Sequence, residues 1–303
     1  IGRAPEVNTR YLHGFLDEIR ISKMARYTGQ GLLDSAYPNP STEFGIQTEG
    51  STYGDLDTQV TANTTYQRYN YQHNASPGYA DLDGTADYFY KDIVNYRPSD
   101  DRGTFFAWVY QDASTGALFS TASYAANDPY WYIAMDGAGG TLISYHTDGT
   151  TQDSVRMTTA FSTGAWHSIA IVSDGGGPGN TGYTFYADGA AAPVTVTGGT
   201  NSGDWFYDAT AAGASSNDRS NIAIGALRGN TGPTIHQFYN GKVAQLGFWG
   251  DGTSTGGILT AAQIADLHAA GIAADWNAVQ GSTYTTTQVG KLVGYWTFGN
   301  NNL

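Results

Sequence analysis

Thr104-Phe105-Phe106-Ala107-Trp108-Val109-Tyr110 and Trp166-His167-Ser168-Ile169-Ala170-Ile171-Val172 decide the fold class. Both runs are rich in aromatic and β-branched residues, lack Gly and Pro, and offer two apolar faces at period two, which is the pattern of a buried strand. Tyr130-Trp131-Tyr132-Ile133-Ala134-Met135 and Tyr183-Thr184-Phe185-Tyr186-Ala187 read the same way. Turn signals bound these runs: Asp136-Gly137, Asp148-Gly149, Asp188-Gly189 and the tip Gly175-Gly176-Gly177-Pro178-Gly179. Many short strands at regular spacing predict an all-β, two-sheet antiparallel jelly-roll sandwich. One short helix is predicted near 260–270. Thr260-Ala261-Ala262-Gln263 forms a capping box, Ile264, Leu267 and His268 follow at helical spacing, and Gly271 stops it.

Composition agrees with a β fold and excludes several functions. Of 303 residues, 27 are acidic and 14 basic, for a formal charge of −13. Charged residues make up 14%, while 22 Tyr, 12 Phe, 7 Trp and 40 Gly supply rings and turns. An acidic chain lacks the basic footprint for nucleic acid and does not suit an anionic membrane surface. No apolar run is long enough to span a bilayer, so membrane insertion is not expected. The absence of Cys removes disulfides, thiolate nucleophiles and thiolate metal sites. The chain opens Ile1-Gly2-Arg3 with no Met and no signal-peptide pattern, which implies processing or origin in a longer polypeptide.

The chain also repeats itself. Ile1-Gly2 leads to Tyr11-Leu12-His13-Gly14-Phe15-Leu16-Asp17-Glu18-Ile19-Arg20-Ile21, and Ile224-Gly225 leads to Phe238-Tyr239-Asn240-Gly241-Lys242-Val243-Ala244-Gln245-Leu246-Gly247-Phe248. Aromatic-x-x-Gly followed by alternation writes one closing strand twice, about 225 residues apart. Three segments are therefore expected. Residues 1–35 hold the last strands of a preceding domain, and 36–274 form a complete jelly roll. Residues 275–303 are an extension, whose Leu292-Val293-Gly294-Tyr295-Trp296-Thr297-Phe298 either opens a further repeat or folds back.

At these residues the sequence resembles the concanavalin A-like, laminin G-like jelly rolls. Asp83-Gly84-Thr85-Ala86-Asp87-Tyr88 is similar to that family's early strand-turn, Phe105–Val109 to its "FTISAWV" strand and Trp166–Val172 to its "WHHVALV" strand. Phe185-Tyr186-Ala187-Asp188-Gly189 is similar to "LYVDG", and Leu259–Gly271 to the helix after the last strand. The matches run in order from about 80 to 271, and their order and spacing make the whole specific. Phe15–Lys23 with Ala25-Arg26-Tyr27-Thr28 resembles a subgroup ending common in bacteriophage virion proteins with tandem jelly rolls. Gln245 departs from it, standing where the second copy would carry an acidic residue.

The family includes glycoside hydrolases, whose retaining members need two carboxylates about 5 Å apart. Those members resembling this fold place Glu-x-Asp-x-x-Glu on one strand. This chain has only Glu6, Glu18, Glu43 and Glu49, with Gly45 at the Asp position, so no enzyme is expected. Gly252-Thr253-Ser254-Thr255-Gly256 matches the nucleophile-elbow pattern. Its helix would start too late and its sheet is antiparallel, so a loop is expected.

No His pair has metal-ligand spacing, and His167 reads as structural. Asp81-Leu82-Asp83-Gly84-Thr85-Ala86-Asp87 lacks EF-hand spacing and fits a strand-turn. The resemblance implies calcium ligands at approximately Asp128 and Asn230. Asn63-Thr64-Thr65 and Asn74-Ala75-Ser76 are glycosylation sequons without meaning in a phage or bacterial host.

Trp108, Trp131 and Trp166 lie in strand patterns and read as core. Trp205-Phe206-Tyr207 differs, because Gly198-Gly199-Thr200-Asn201-Ser202-Gly203-Asp204 precedes it and Asp208 follows. Rings beside carboxylates and amides are what a sugar site uses, so Asp204, Trp205, Phe206 and Tyr207 are the candidate ligand-binding residues. The competing expectation is that the cluster caps the sandwich or packs on a neighbouring subunit.

The function expected is a non-enzymatic attachment or display module of a larger virion or cell-surface protein, binding host-surface glycans through loops of the jelly roll. The rival is a structural decoration or fibre module contacting sister subunits or other virion proteins, and a glycoside hydrolase comes third. The location implied is extracellular: the virion surface, or alternatively a bacterial cell surface or secretion.

Overall fold

Each period-two run becomes a strand, and antiparallel pairing assembles the strands into two sheets. The computed structural model describes residues 78–298 apart from 113–115, 124–129, 137–139, 147–151, 176–180, 208–218, 230–233 and 253–255. The segment 1–35, with the first copy of the repeat, lies outside the described residues. In chain order the strands are β1 Ala80–Asp83, β2 Phe89–Asp92, β3 Gly103–Gln111, β4 Gly116–Ala122, β5 Tyr130–Asp136, β6 Gly140–His146, β7 Gln152–Met157 and β8 Trp166–Ser173. There follow β9 Tyr183–Ala187, β10 Ala190–Ala192, β11 Val194–Gly198, β12 Asn221–Ile224, β13 Leu227–Arg228, β14 Ile235–His236 and β15 Asn240–Trp249. Helices α1 Ala261–Ala270 and α2 Thr286–Val289 precede β16 Leu292–Trp296.

The first sheet runs β1-β15-β3-β8-β9-β10, with β16 also on β15. Since β3 holds one edge of β15, β1 and β16 share the other edge end to end. The second sheet runs β11-β7-β6-β5-β4-β12-β2, and β13 with β14 form a small ribbon. The jelly-roll sandwich expected from the sequence is observed.

Between the sheets lies an aromatic core. Phe105, Ala107 and Val109 of β3 face inward with Ile169 and Ile171 of β8 and Trp131, Ile133 and Met135 of β5. In β15 a bulge at Ala244 interrupts the alternation, so that Val243, Leu246 and Phe248 all face this core. The β9–β10 hairpin turns on Asp188 and Gly189, both at positive φ (48° and 79°). That is the geometry for which Asp-Gly is selected. After β1, the Asp83 carboxylate accepts the N–H groups of Thr85, Ala86 and Asp87, forming the expected strand-turn.

Much of the outer face of the first sheet is covered. Phe106, Trp108, Ala170, Val172 and Trp249 pack under Leu259, Ile264 and Leu267 of the α1 region and under Trp276 and Tyr284. The capping box forms as read: the Thr260 hydroxyl accepts from Gln263 N, and Gln263 Oε1 accepts from Thr260 N. Beyond α1, Asp266 accepts from Thr283 N and Oγ1, which ties the following segment to the helix.

One of the two alternatives for residues 275–303 is observed, and the expected domain end and single helix change. The described part of the C-terminal extension folds back: β16 pairs with β15, and Trp296 and Phe298 enter the inter-sheet core. The domain therefore continues beyond residue 274 to at least Phe298, and it contains a second, four-residue helix, α2. The cause is coverage. Without Trp276 and Tyr284, the apolar outer face at Phe106 and Trp249 would meet water.

Candidate functional site

The candidate loop is held by internal hydrogen bonds. Asn201 Oδ1 accepts from Tyr183 N at 2.8 Å, and its Nδ2 donates to Thr181 O at 3.1 Å. Asp153 accepts from Thr200 N at 2.8 Å and from Ser202 Oγ at 3.0 Å. Ser202 Oγ also lies 2.5 Å from Asp204 Oδ2, and the Tyr183 hydroxyl donates to Asp204 O. This clasp drives the next two residues inward. Trp205 and Phe206 are 1% and 0% exposed.

Their rings pack on Trp131 at centroid distances of 5.1 and 5.0 Å. The ligand-binding assignment of Trp205 and Phe206 is therefore corrected, because neither ring offers a face to a ligand. Asp204 belongs to the clasp, and Tyr207 alone of the four stands well out, at 44% exposure. The calcium candidates Asp128 and Asn230 lie outside the described residues. Among the described residues no three His, Asp or Glu side chains gather as a metal site.

A different surface sets aromatic rings beside carboxylates. Asp81, Lys242, Tyr110 and Trp166 are successive cross-strand neighbours over β1, β15, β3 and β8. All four lie on the outer face, opposite the core-facing Leu82, Val243, Val109 and Ile169. Trp166 meets Tyr79 and Tyr110 edge-on at 5.7 and 5.6 Å. Lys242 Nζ sits 4.5 Å above the centre of the Tyr110 ring, 3.2 Å from Asp112 Oδ2 and 3.8 Å from Asp81 Oδ1. Tyr79, Tyr110 and Trp166 are each half-buried, so ring surface remains accessible.

Local backbone geometry fixes this row. Gly241 has φ +147°, and a Cβ there would come within 2.1 Å of Tyr110 O. Only glycine lets β15 approach β3 at that point and set Lys242 opposite Tyr110. Tyr239, fully buried, donates its hydroxyl to the same Tyr110 O at 2.9 Å.

The charges are coupled. Burial raises the Asp81 carboxyl above its ordinary value; Lys242 opposes this and Asp112 adds to it. Burial works against the Lys242 ammonium, but the hydrogen bond to Asp112 and the charges of Asp81 and Asp112 outweigh it, and its pKa is raised.

Trp166 was expected in the core with Trp108 and Trp131. Those two are buried, whereas Trp166 is the first residue of β8, at the end of the sheet. The available signal was its place at a strand start, directly after Ser162-Thr163-Gly164-Ala165. The cross-strand neighbours Asp81 and Lys242 come from distant sequence, and no local pattern announces them.

His167 bridges two segments. Its Nε2 lies 3.0 Å from Ser162 Oγ and its Nδ1 2.8 Å from Asp188 Oδ2, the connectivity of a nucleophile, base and orienting acid. Asp188 Oδ1 also accepts from Ser168 N, and Ser162 and Asp188 are both open to water. These bonds join the segment before β8 to the β9–β10 turn. Thr253, Ser254 and Thr255 of the nucleophile-elbow match lie outside the described residues; the strand before them is antiparallel, and α1 begins only at Ala261.

Residues 83–265 match the Laminin_G_3 family of the concanavalin A-like lectin/glucanases superfamily, and the chain belongs to that family. Comparison with curated proteins gave no match. Among solved structures, the CBM40 module of the Ruminococcus gnavus IT-sialidase, bound to α2,3-sialyllactose, is 14% identical with a TM-score of 0.43. That likeness covers 56% of this chain and 83% of the other. A heptameric SAP-like pentraxin from Limulus polyphemus is 14% identical with a TM-score of 0.43, over 72% of this chain and 93% of its own. Domains LG4-5 of the mouse laminin α1 chain are 14% identical with a TM-score of 0.40, over 63% and 45% respectively. The ligand named in the first of these belongs to that protein. No helix among the described residues is long and apolar enough to cross a membrane.

Proposed function

We propose that this domain is a non-catalytic saccharide-binding module, and that the patch of Trp166, Tyr110 and Tyr79 with Asp81, Asp112 and Lys242 is its contact surface. One observation carries the reading: the half-buried ring of Trp166, in edge contact with those of Tyr79 and Tyr110, stands beside two carboxylates at the uncovered end of a sheet face. Rings offer flat apolar surface to the C–H face of a sugar, and carboxylates accept from its hydroxyls. In this reading the module serves attachment or display in a larger virion or cell-surface protein, with host-surface glycans as partners.

The test is a glycan array on the wild type and Trp166→Ala, with a melting curve for each. Binding by the wild type that is lost in the variant, at a small cost in melting temperature, supports the reading. An array on which the wild type binds nothing overturns it in favour of a structural module contacting sister subunits.

A further inference from the structure

The patch has a sign of charge as well as a shape. Its central cation, Lys242, is already engaged by Asp112 at 3.2 Å and Asp81 at 3.8 Å, so one positive charge faces two negative ones. Asp81 and Asp112 are not spent on that contact, since their side chains remain 34% and 40% exposed. The chain as a whole carries −13, a long-range field of the same sign.

We propose that the patch takes saccharides bearing no anionic group and discriminates against their sialylated, uronic-acid and sulfated counterparts. This rests on the saccharide-binding reading and adds its ligand class. An anionic group laid over Trp166 or Tyr110 would approach Asp81 and Asp112, where the single charge of Lys242 already stands against two carboxylates. An uncharged sugar meets no such repulsion. Its hydroxyls are donors, and ionised carboxylates are acceptors only, so Asp81 and Asp112 match hydroxyl-rich ligands as they stand.

The experiment uses matched pairs on one array: a neutral glycan, and the same core capped by sialic acid or sulfate. Wild type and Asp112→Asn are compared at two ionic strengths. The neutral member should bind about tenfold better, the gap should widen at low salt, and Asp112→Asn should narrow it. Asp112 is a surface residue whose backbone N–H bonds to Asn240 O, a contact the variant keeps. Equal or tighter wild-type binding to the anionic members, lost in Trp166→Ala, overturns the charge selection and leaves the saccharide site standing. No wild-type binding to either class removes both.

Discussion

The indole of Trp205 meets that of Trp131 edge to face, with centroids 5.1 Å apart and planes at 67°. The loop residue thus belongs to the wall of the inter-sheet core, together with Phe206 and Phe248. Trp205→Ala should cost about 3–5 kcal/mol, as expected for emptying a buried indole site. Chemical denaturation of wild type and variant measures this; a cost below about 1 kcal/mol would place the ring outside the core.

The C-terminal segment should behave as part of the same cooperative unit. Trp276 is fully buried, 5.1 Å from Phe106 and 5.7 Å from Trp249. Trp276→Ala should therefore also destabilise by about 3–5 kcal/mol, in one transition. A separate low-temperature transition, with the main one unmoved, would mean that the segment is an independent appendage.

Much of this fold is legible in the sequence, and the exceptions share a cause. The strands and α1 are written locally, by period-two alternation, Asp-Gly turns and the Thr260–Gln263 capping box. What could not be read depends on contacts between distant positions. The Gly-rich, polar stretch before Trp205 has the composition of an exposed loop, yet Asp153, Tyr183 and Trp131 together draw it inward. The bulge at Ala244 breaks a strict alternation and leaves no local mark. The candidate patch is a row across four strands, and only strand order brings Asp81 and Lys242 beside Trp166.

Gly241→Ala tests whether the register at that row depends on glycine. With φ at +147° and backbone oxygen 2.1 Å from the added Cβ, the β3–β15 ladder must shift. A loss of about 2 kcal/mol or more is expected, with weakened saccharide binding because Lys242 loses its place over Tyr110. Unchanged stability would mean that the strands can part there without penalty.

Acid should weaken the turn after β1. Burial raises the Asp83 carboxyl, but the hydrogen bonds from Ala86, Thr85 and Asp87 outweigh it and hold its pKa at about 2. The usual carboxylate value is about 3.9, so the unfolded chain binds this proton first as pH falls. The stabilisation is complete above about pH 4 and lost as pH drops through about 2. Asp83→Asn should flatten that part of a melting-temperature profile against pH. A profile identical to wild type between pH 4 and 2 would show that Asp83 contributes nothing to it.

The most direct test of the saccharide site sets Trp166→Ala against Tyr207→Ala on one glycan array. Tyr207 is the exposed survivor of the loop cluster, whereas Trp166 anchors the outer-face row. Wild-type binding should be abolished by Trp166→Ala and stay within about twofold in Tyr207→Ala. Binding that survives Trp166→Ala and disappears with Tyr207→Ala would refute the outer-face site and return it to the Tyr207 loop.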